Sequence, residues 1–170
     1  MKFNNNNKKA FSIVEIIIYL AIFTIISIVV INSFIIILAS FSTIRTNQDL
    51  LTSGETAMNR LSYEIRQAKN VDLTNSIFDS DSSVLRLNST DGTSYITFDK
   101  NIDELEILKN GALFGNLLVQ NISLNKLVFR HIITAHGEAV KIEIELQDTR
   151  SKVAKTESFY DTVVLRGSIK

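Results

Sequence analysis

Between Glu15 and Arg45 the chain carries no charged residue. A helix advances 1.5 Å per residue, so a hydrocarbon core of roughly 30 Å takes about 20 apolar residues. Ile16 to Phe41 supplies more than that, interrupted only by Thr24, Ser27, Asn32, Ser33 and Ser40. The run therefore predicts a transmembrane helix. It is far longer than the apolar region of a signal peptide, about 7 to 15 residues, so removal by signal peptidase is not expected despite the small residues near Ala39. Lys2, Lys8 and Lys9 precede the run. By the positive-inside rule they hold the N-terminus in the cytoplasm and send the C-terminal part across the membrane. Glu15 stands at the threshold of the apolar run. A carboxylate entering lipid is costly unless a partner neutralises it, which makes it a functional candidate. The plain alternative is a Glu in the first helical turn favoured by the helix dipole, worth about 0.3–1 kcal/mol.

Of 170 residues, the span takes about 30, which leaves enough chain for one modest domain and too little for a second core. Eighteen basic and eighteen acidic residues balance. The chain as a whole thus has no electrostatic pull toward nucleic acid. Without cysteine there is no disulfide, thiolate metal site or cysteine nucleophile. Proline is also absent, so the helix is expected to run straight, with Asn32-Ser33 or Gly54 as its softer points.

Met1 to Ala10 reads as a polar leader. From Phe11 the helical signal continues past the membrane, because beyond Thr43 the pattern turns one-sided without any breaker. Leu50, Gly54, Ala57, Leu61, Ile65 and Ala68 recur at steps of four and three, with Glu55, Asn59, Ser62, Arg66 and Lys69 on another face. A helix to about Lys69 would be close to 90 Å long. Asn70 to Ser83, rich in Asp, Asn and Ser, reads as the loop that ends it.

The remainder reads as strands. Val84 to Asn88 and Ser94 to Asp99 flank Asp91-Gly92; Glu104 to Lys109 and Ala112 to Phe114 flank Asn110-Gly111. Both dipeptides are hairpin signals because they tolerate positive φ. A third hairpin is expected at His136-Gly137, between Leu124 to Ile133 and Glu138 to Gln147, and a last strand over Glu157 to Arg166. In Glu138 to Gln147, Val140, Ile142, Ile144 and Leu146 alternate with Lys141, Glu143, Glu145 and Gln147, the pattern of a strand with one wet face. Successive hairpins imply an antiparallel meander, and the amphipathic half-helix is the element available to cover it. The expected fold class is α+β: a long N-terminal helix, half transmembrane (11–41) and half amphipathic, packed on an antiparallel sheet within an extracytoplasmic domain (42–170).

The octet Lys8-Lys9-Ala10-Phe11-Ser12-Ile13-Val14-Glu15 resembles the processing motif of type IV prepilins and type II secretion pseudopilins, a basic leader, a small residue, Phe and Glu ahead of a transmembrane helix. In that family a prepilin peptidase cuts before the Phe and methylates the new amine. The resemblance implies cleavage between Ala10 and Phe11, methylation of Phe11, and an assembly role for Glu15 in pairing with the amine of a neighbouring subunit. The family usually has Gly where this chain has Ala10, which makes processing the first claim to test. A pilin-like fold is implied as well. Further partners implied are other pilin or pseudopilin subunits, an inner-membrane platform protein, an assembly ATPase and membrane lipid.

Arg60 to Ala68 is similar to the end of the long helix in J-type minor pseudopilins and W-type minor pilins, and Phe159 to Arg166 to their closing strand, which often continues with Asn where Gly167 stands. These stretches favour a minor subunit, of a type IV pilus or a secretion pseudopilus, over a major one; the alternatives within the class are a competence-pilus subunit and a major pilin. A rival of another class is a monomeric membrane-tethered binding domain.

No catalytic or cofactor site is expected. The chain shows no nucleophile elbow, phosphate loop or recognisable carboxylate pair, so the chain reads as a non-enzyme. Five residues apart, His131 and His136 fall on opposite faces of a strand, or His136 in the turn, so no metal pair is expected and His131 reads as a packed or edge residue. Asp79-Ser80-Asp81-Ser82-Ser83 has acidic spacing like a calcium loop, yet Val84 and Thr90 occupy the Gly and Glu positions of an EF-hand, so a solvated loop is expected.

Overall fold

The computed structural model describes residues 12–134, 137–150 and 155–168. The chain divides into two compact units, Met1–Ile44 and Arg45–Lys170. Helix α1 runs over Ile13–Gln67. Its first part lies in the first unit and carries the span long and apolar enough to cross a membrane. Within that unit every large apolar side chain from Ile13 to Ile44 is exposed.

In the second unit, Leu50, Ala57, Leu61, Ile65 and Ala68 are buried, with Gly54 among them, as the four-and-three spacing predicts. Ser62 departs from that reading. Assigned to the polar face, it is buried, as are Ser53 and Glu64, because strands and loops wrap more of the helix than one apolar stripe.

Eight strands follow: β1 (Asn70–Val71), β2 (Leu85–Asn88), β3 (Tyr95–Asn101), β4 (Glu104–Lys109), β5 (Ala112–Asn116), β6 (Ile122–Thr134), β7 (Gly137–Asp148) and β8 (Thr156–Val164). All named strand pairs are antiparallel. The expected single meander is instead two, a five-stranded sheet ordered β1 to β5 and a three-stranded sheet ordered β6 to β8. The break follows β5. There the backbone N–H of Leu117 donates to Leu105, that of Val119 to Ser53 Oγ at 3.3 Å, and that of Leu124 to Asp103. The connection is thereby drawn onto α1 and across the end of β4, and β6 pairs with β7 alone among the named strands.

The segment read as the loop Asn70 to Ser83 also contributes pairing. Val71 is buried and pairs with Leu87, while Asp79 and Ser83 donate their N–H groups to Phe129 and Leu127 of β6, covering that strand's free edge. Phe98, Leu105, Phe129, Ile142 and Ile144 join the helix residues in one apolar cluster. Each fully buried side chain of this size contributes roughly 1.5–3 kcal/mol, which makes helix and sheets one cooperative unit without a disulfide.

The two dipeptide turns differ. Asn110 and Gly111 both adopt positive φ, at 52° and 81°, as a primed hairpin turn requires. At the other, only Gly92 does, at 72°. Asp91 works through its carboxylate, which accepts from the Thr93 and Ser94 N–H groups at 3.0 Å and the Ser94 hydroxyl at 2.5 Å. A third tight turn had no sequence signal. Ile102, at φ 57°, joins β3 to β4, a costly conformation for a β-branched residue.

Candidate functional site

Ala10 and Phe11, the residues of the expected cleavage and methylation, lie outside the described residues, as does His136. Glu15 lies in the first turn of α1. The helix opens with the Ile16 N–H donating to the Ser12 carbonyl at 3.2 Å, so Ser12 and Glu15 stand at capping-box spacing, in which a carboxylate folds back on the cap. Among the described residues the partner of Glu15 is instead Tyr19, whose hydroxyl donates to Oε1 at 2.9 Å.

Glu15 is half-buried while its neighbours from Ile13 to Leu20 are exposed. Tyr19 is the contact of this candidate residue that the reading of the sequence missed. Its signal was the i, i+4 spacing, which puts two side chains on one helix face. The phenol holds one carboxylate oxygen along the helix side rather than back on the helix's own N-terminal end.

In the second unit, the two stretches singled out at the end of the helix and in the closing strand meet. The Ser62 hydroxyl donates to Asp161 Oδ2 at 2.8 Å. At Gly54, an added Cβ would sit 2.1–2.5 Å from the Phe159 ring, so Gly54 allows the ring to lie on the helix backbone rather than serving as a soft point. A Cβ at Gly167 would come within 2.7 Å of the Ala68 carbonyl and Lys69 Cα. The closing segment, which leaves β8 through a 3-10 turn at Arg166–Ser168, thus needs glycine at position 167.

His131 stacks on Phe78 with ring centroids 5.7 Å apart, and its Nε2 lies 3.2 Å from Glu138 Oε2. It is packed into the sheet. The two aspartates of the calcium-like segment face cations: Arg130 Nε donates to Asp79 at 3.2 Å, and Lys126 Nζ lies 3.7 Å from Asp81. Lys126 also donates to Glu143 at 3.0 Å, and that hydrogen bond, as the main cause, raises its pKa. Arg150 joins Asp148 at 2.9 Å to Asp49 of α1 at 2.7 Å, the bond to Asp148 first and that to Asp49 second holding the guanidinium above its ordinary value. These ion pairs fasten loops to sheet and strand to helix. Shallow clefts line the helix and sheet surfaces, and among the described residues no three or more His, Cys, Asp or Glu side chains gather in a metal-holding cluster.

Comparison of the chain with models of known protein families, with curated proteins and with solved structures found no match.

Proposed function

We propose that the protein is a pilin-like structural subunit, a minor component of a type IV pilus or type II secretion pseudopilus, whose activity is polymerisation rather than turnover. One observation carries the reading. Glu15 is the sole charge between the end of the leader and Arg45, it opens a helix otherwise exposed and apolar for thirty residues, and Tyr19 holds its carboxylate along the helix side. A lone oriented carboxylate at that depth suits a cationic partner from another molecule. After cleavage between Ala10 and Phe11, the new amine of a neighbouring copy supplies that cation.

The pairing removes two charges that are expensive in lipid and sets the axial register of each incoming subunit. The protein is inserted in the inner membrane with its N-terminus inside and its sheet domain outside. Prepilin peptidase, other subunits, the platform protein and the assembly ATPase are its partners on this reading.

Mass spectrometry of the N-terminal peptide tests it, with and without a prepilin peptidase. The expected mature protein starts at methylated Phe11; recovery of only uncut Met1 species from a peptidase-competent host would sink the proposal in favour of a simple tether. Glu15→Ala is expected to leave insertion and the sheet domain intact and to abolish incorporation into filaments, read by filament shearing and immunoblot. Normal incorporation would remove the pairing argument.

A further inference from the structure

With the Tyr19 hydroxyl counted beside Thr24, Ser27, Asn32, Ser33 and Ser40, the apolar run Ile16 to Phe41 holds six polar side-chain groups, and five of them are satisfied within their own helix. Tyr19 donates to Glu15. Thr24 donates to the carbonyls of Leu20 and Ala21, Ser27 to Phe23, Ser33 to Val29 and Ser40 to Ile36, all at 2.8–3.0 Å. Of the six, the Asn32 side chain alone makes no hydrogen bond among the described residues, and it is exposed. Its amide sits about 5 Å from the midpoint of the run, where lipid offers neither donor nor acceptor.

The surroundings of Asn32 are sided. At 100° per residue, Ala21, Ile25, Ile28, Asn32, Ile35 and Ala39 share one face at steps of four and three, the spacing of a left-handed helix pair. Phe23, Phe34 and Phe41 fall on the opposite face. Ala21 and Ala39 stand at the two ends of the Asn32 face and Ile28 and Ile35 next to the amide, an aliphatic seam clear of the bulky rings against which a second helix can pack.

We propose that Asn32 is a homotypic contact site, at which two copies of this chain pack in parallel within the bilayer with their amides hydrogen-bonded to each other. A carboxamide carries both donors and an acceptor, so it is its own complement. Identical chains inserted in the same direction bring Asn32 to the same depth, a match that a different partner meets only with a polar group of its own at that level. A single Asn in such a seam also fixes register, because any axial slip puts two amides back into hydrocarbon. The inference rests on the membrane-spanning part of the proposed function and not on cleavage or filament formation.

The absence of cysteine makes cross-linking clean. The full chain is expressed in inner-membrane vesicles from a host without filament machinery, carrying either Ile28→Cys beside Asn32 or Phe34→Cys on the opposite face, and oxidised with copper phenanthroline. Ile28→Cys is expected to form a dimer of twice the chain mass at least about fivefold faster than Phe34→Cys, and adding Asn32→Leu to slow it about three- to tenfold, with Asn32→Gln restoring most of the rate. Equal rates from the two faces, insensitivity to Asn32→Leu, or a product with a host protein in place of the dimer would each overturn the proposal while leaving the pilin-like reading standing. Alkaline carbonate extraction of the same vesicles separates the two claims: a chain released from the membrane would overturn both.

Discussion

From Ile13 to Ile44, α1 exposes every large apolar side chain it has, whereas from Leu50 to Ile65 it buries Leu50, Ala57, Met58, Leu61 and Ile65 against strands and loops. The polar residues divide in the same way. Ser27, Ser33 and Ser40 turn back onto the preceding turn of their own helix, while Ser53 accepts from Val119 of the β5–β6 connection and Ser62 donates to Asp161 of β8. A hydroxyl with nothing beside it but lipid finds its partner locally; a hydroxyl beside other backbone is free to specify how elements meet. One helix therefore contains a part that tolerates change in isolation and a part in which single atoms are constrained by what lies against them.

The sharpest way to break that contrast is to add volume to each part. Gly54→Ala drives a methyl into the Phe159 ring and is expected to destabilise the second unit by about 1–3 kcal/mol, even after the ~1 kcal/mol by which Ala improves on Gly in a helix. Adding Phe159→Leu should recover much of the loss, since the two positions are in contact and their effects are coupled. Leu38→Phe, at an exposed site in the first part, is expected to leave that unit unchanged. Hydrogen exchange of the β7 amides in the full chain in detergent micelles reads all three; equal protection in Gly54→Ala and the unaltered chain would show that the ring can move aside.

Removing hydroxyls gives a smaller effect with the same sign. Ser62→Ala takes the donor from a half-buried Asp161 and is expected to cost about 1–2 kcal/mol, whereas Ser33→Ala removes a back-bond that contributes little and should stay within about 0.5 kcal/mol. The same exchange measurement checks both, with α1 amides near Ser33 followed alongside β7. If the two costs came out equal, the serines of the second part would be doing no more than those of the first.

Legibility from sequence follows the same division. The buried seam from Leu50 to Ala68 was readable because a helix with one covered face writes its contacts as a period, and the Asn110-Gly111 turn because few residues adopt its backbone. The division into two sheets was not, since it depends on Leu117, Val119 and Leu124 finding carbonyl and hydroxyl partners far away in the chain. Strand β1 is too short for alternation to appear, and Ile102 carries none of the residues that announce positive φ. At the candidate site, Glu15 stood out because a carboxylate at the edge of a long apolar run is costly in lipid. Tyr19 did not, because an aromatic residue near a membrane boundary is ordinary, and only the 2.9 Å contact distinguishes it.

Asp91 tests whether local satisfaction works as well with a charge, in water, as it does with hydroxyls on the apolar helix. Its carboxylate is fully exposed, yet hydrogen bonds from the Ser94 hydroxyl first, then from the Ser94 and Thr93 N–H groups, bring its pKa down to about 2. The folded value lies below that of the unfolded chain, so the contribution of this turn is fully present above the ordinary carboxylate range and is lost as pH falls through about 2. Amide resonances of Thr93 and Ser94 are accordingly expected to hold steady from pH 6 to about 3 and to shift together below that. In Asp91→Asn the acceptor remains but the charge does not, and the shift should disappear with only a slight loosening of the β2–β3 loop. A midpoint near 4 for the unaltered chain would mean that Gly92 shapes the turn without help from the carboxylate, leaving the sequence signal, and not the side-chain bond, as the cause of the hairpin.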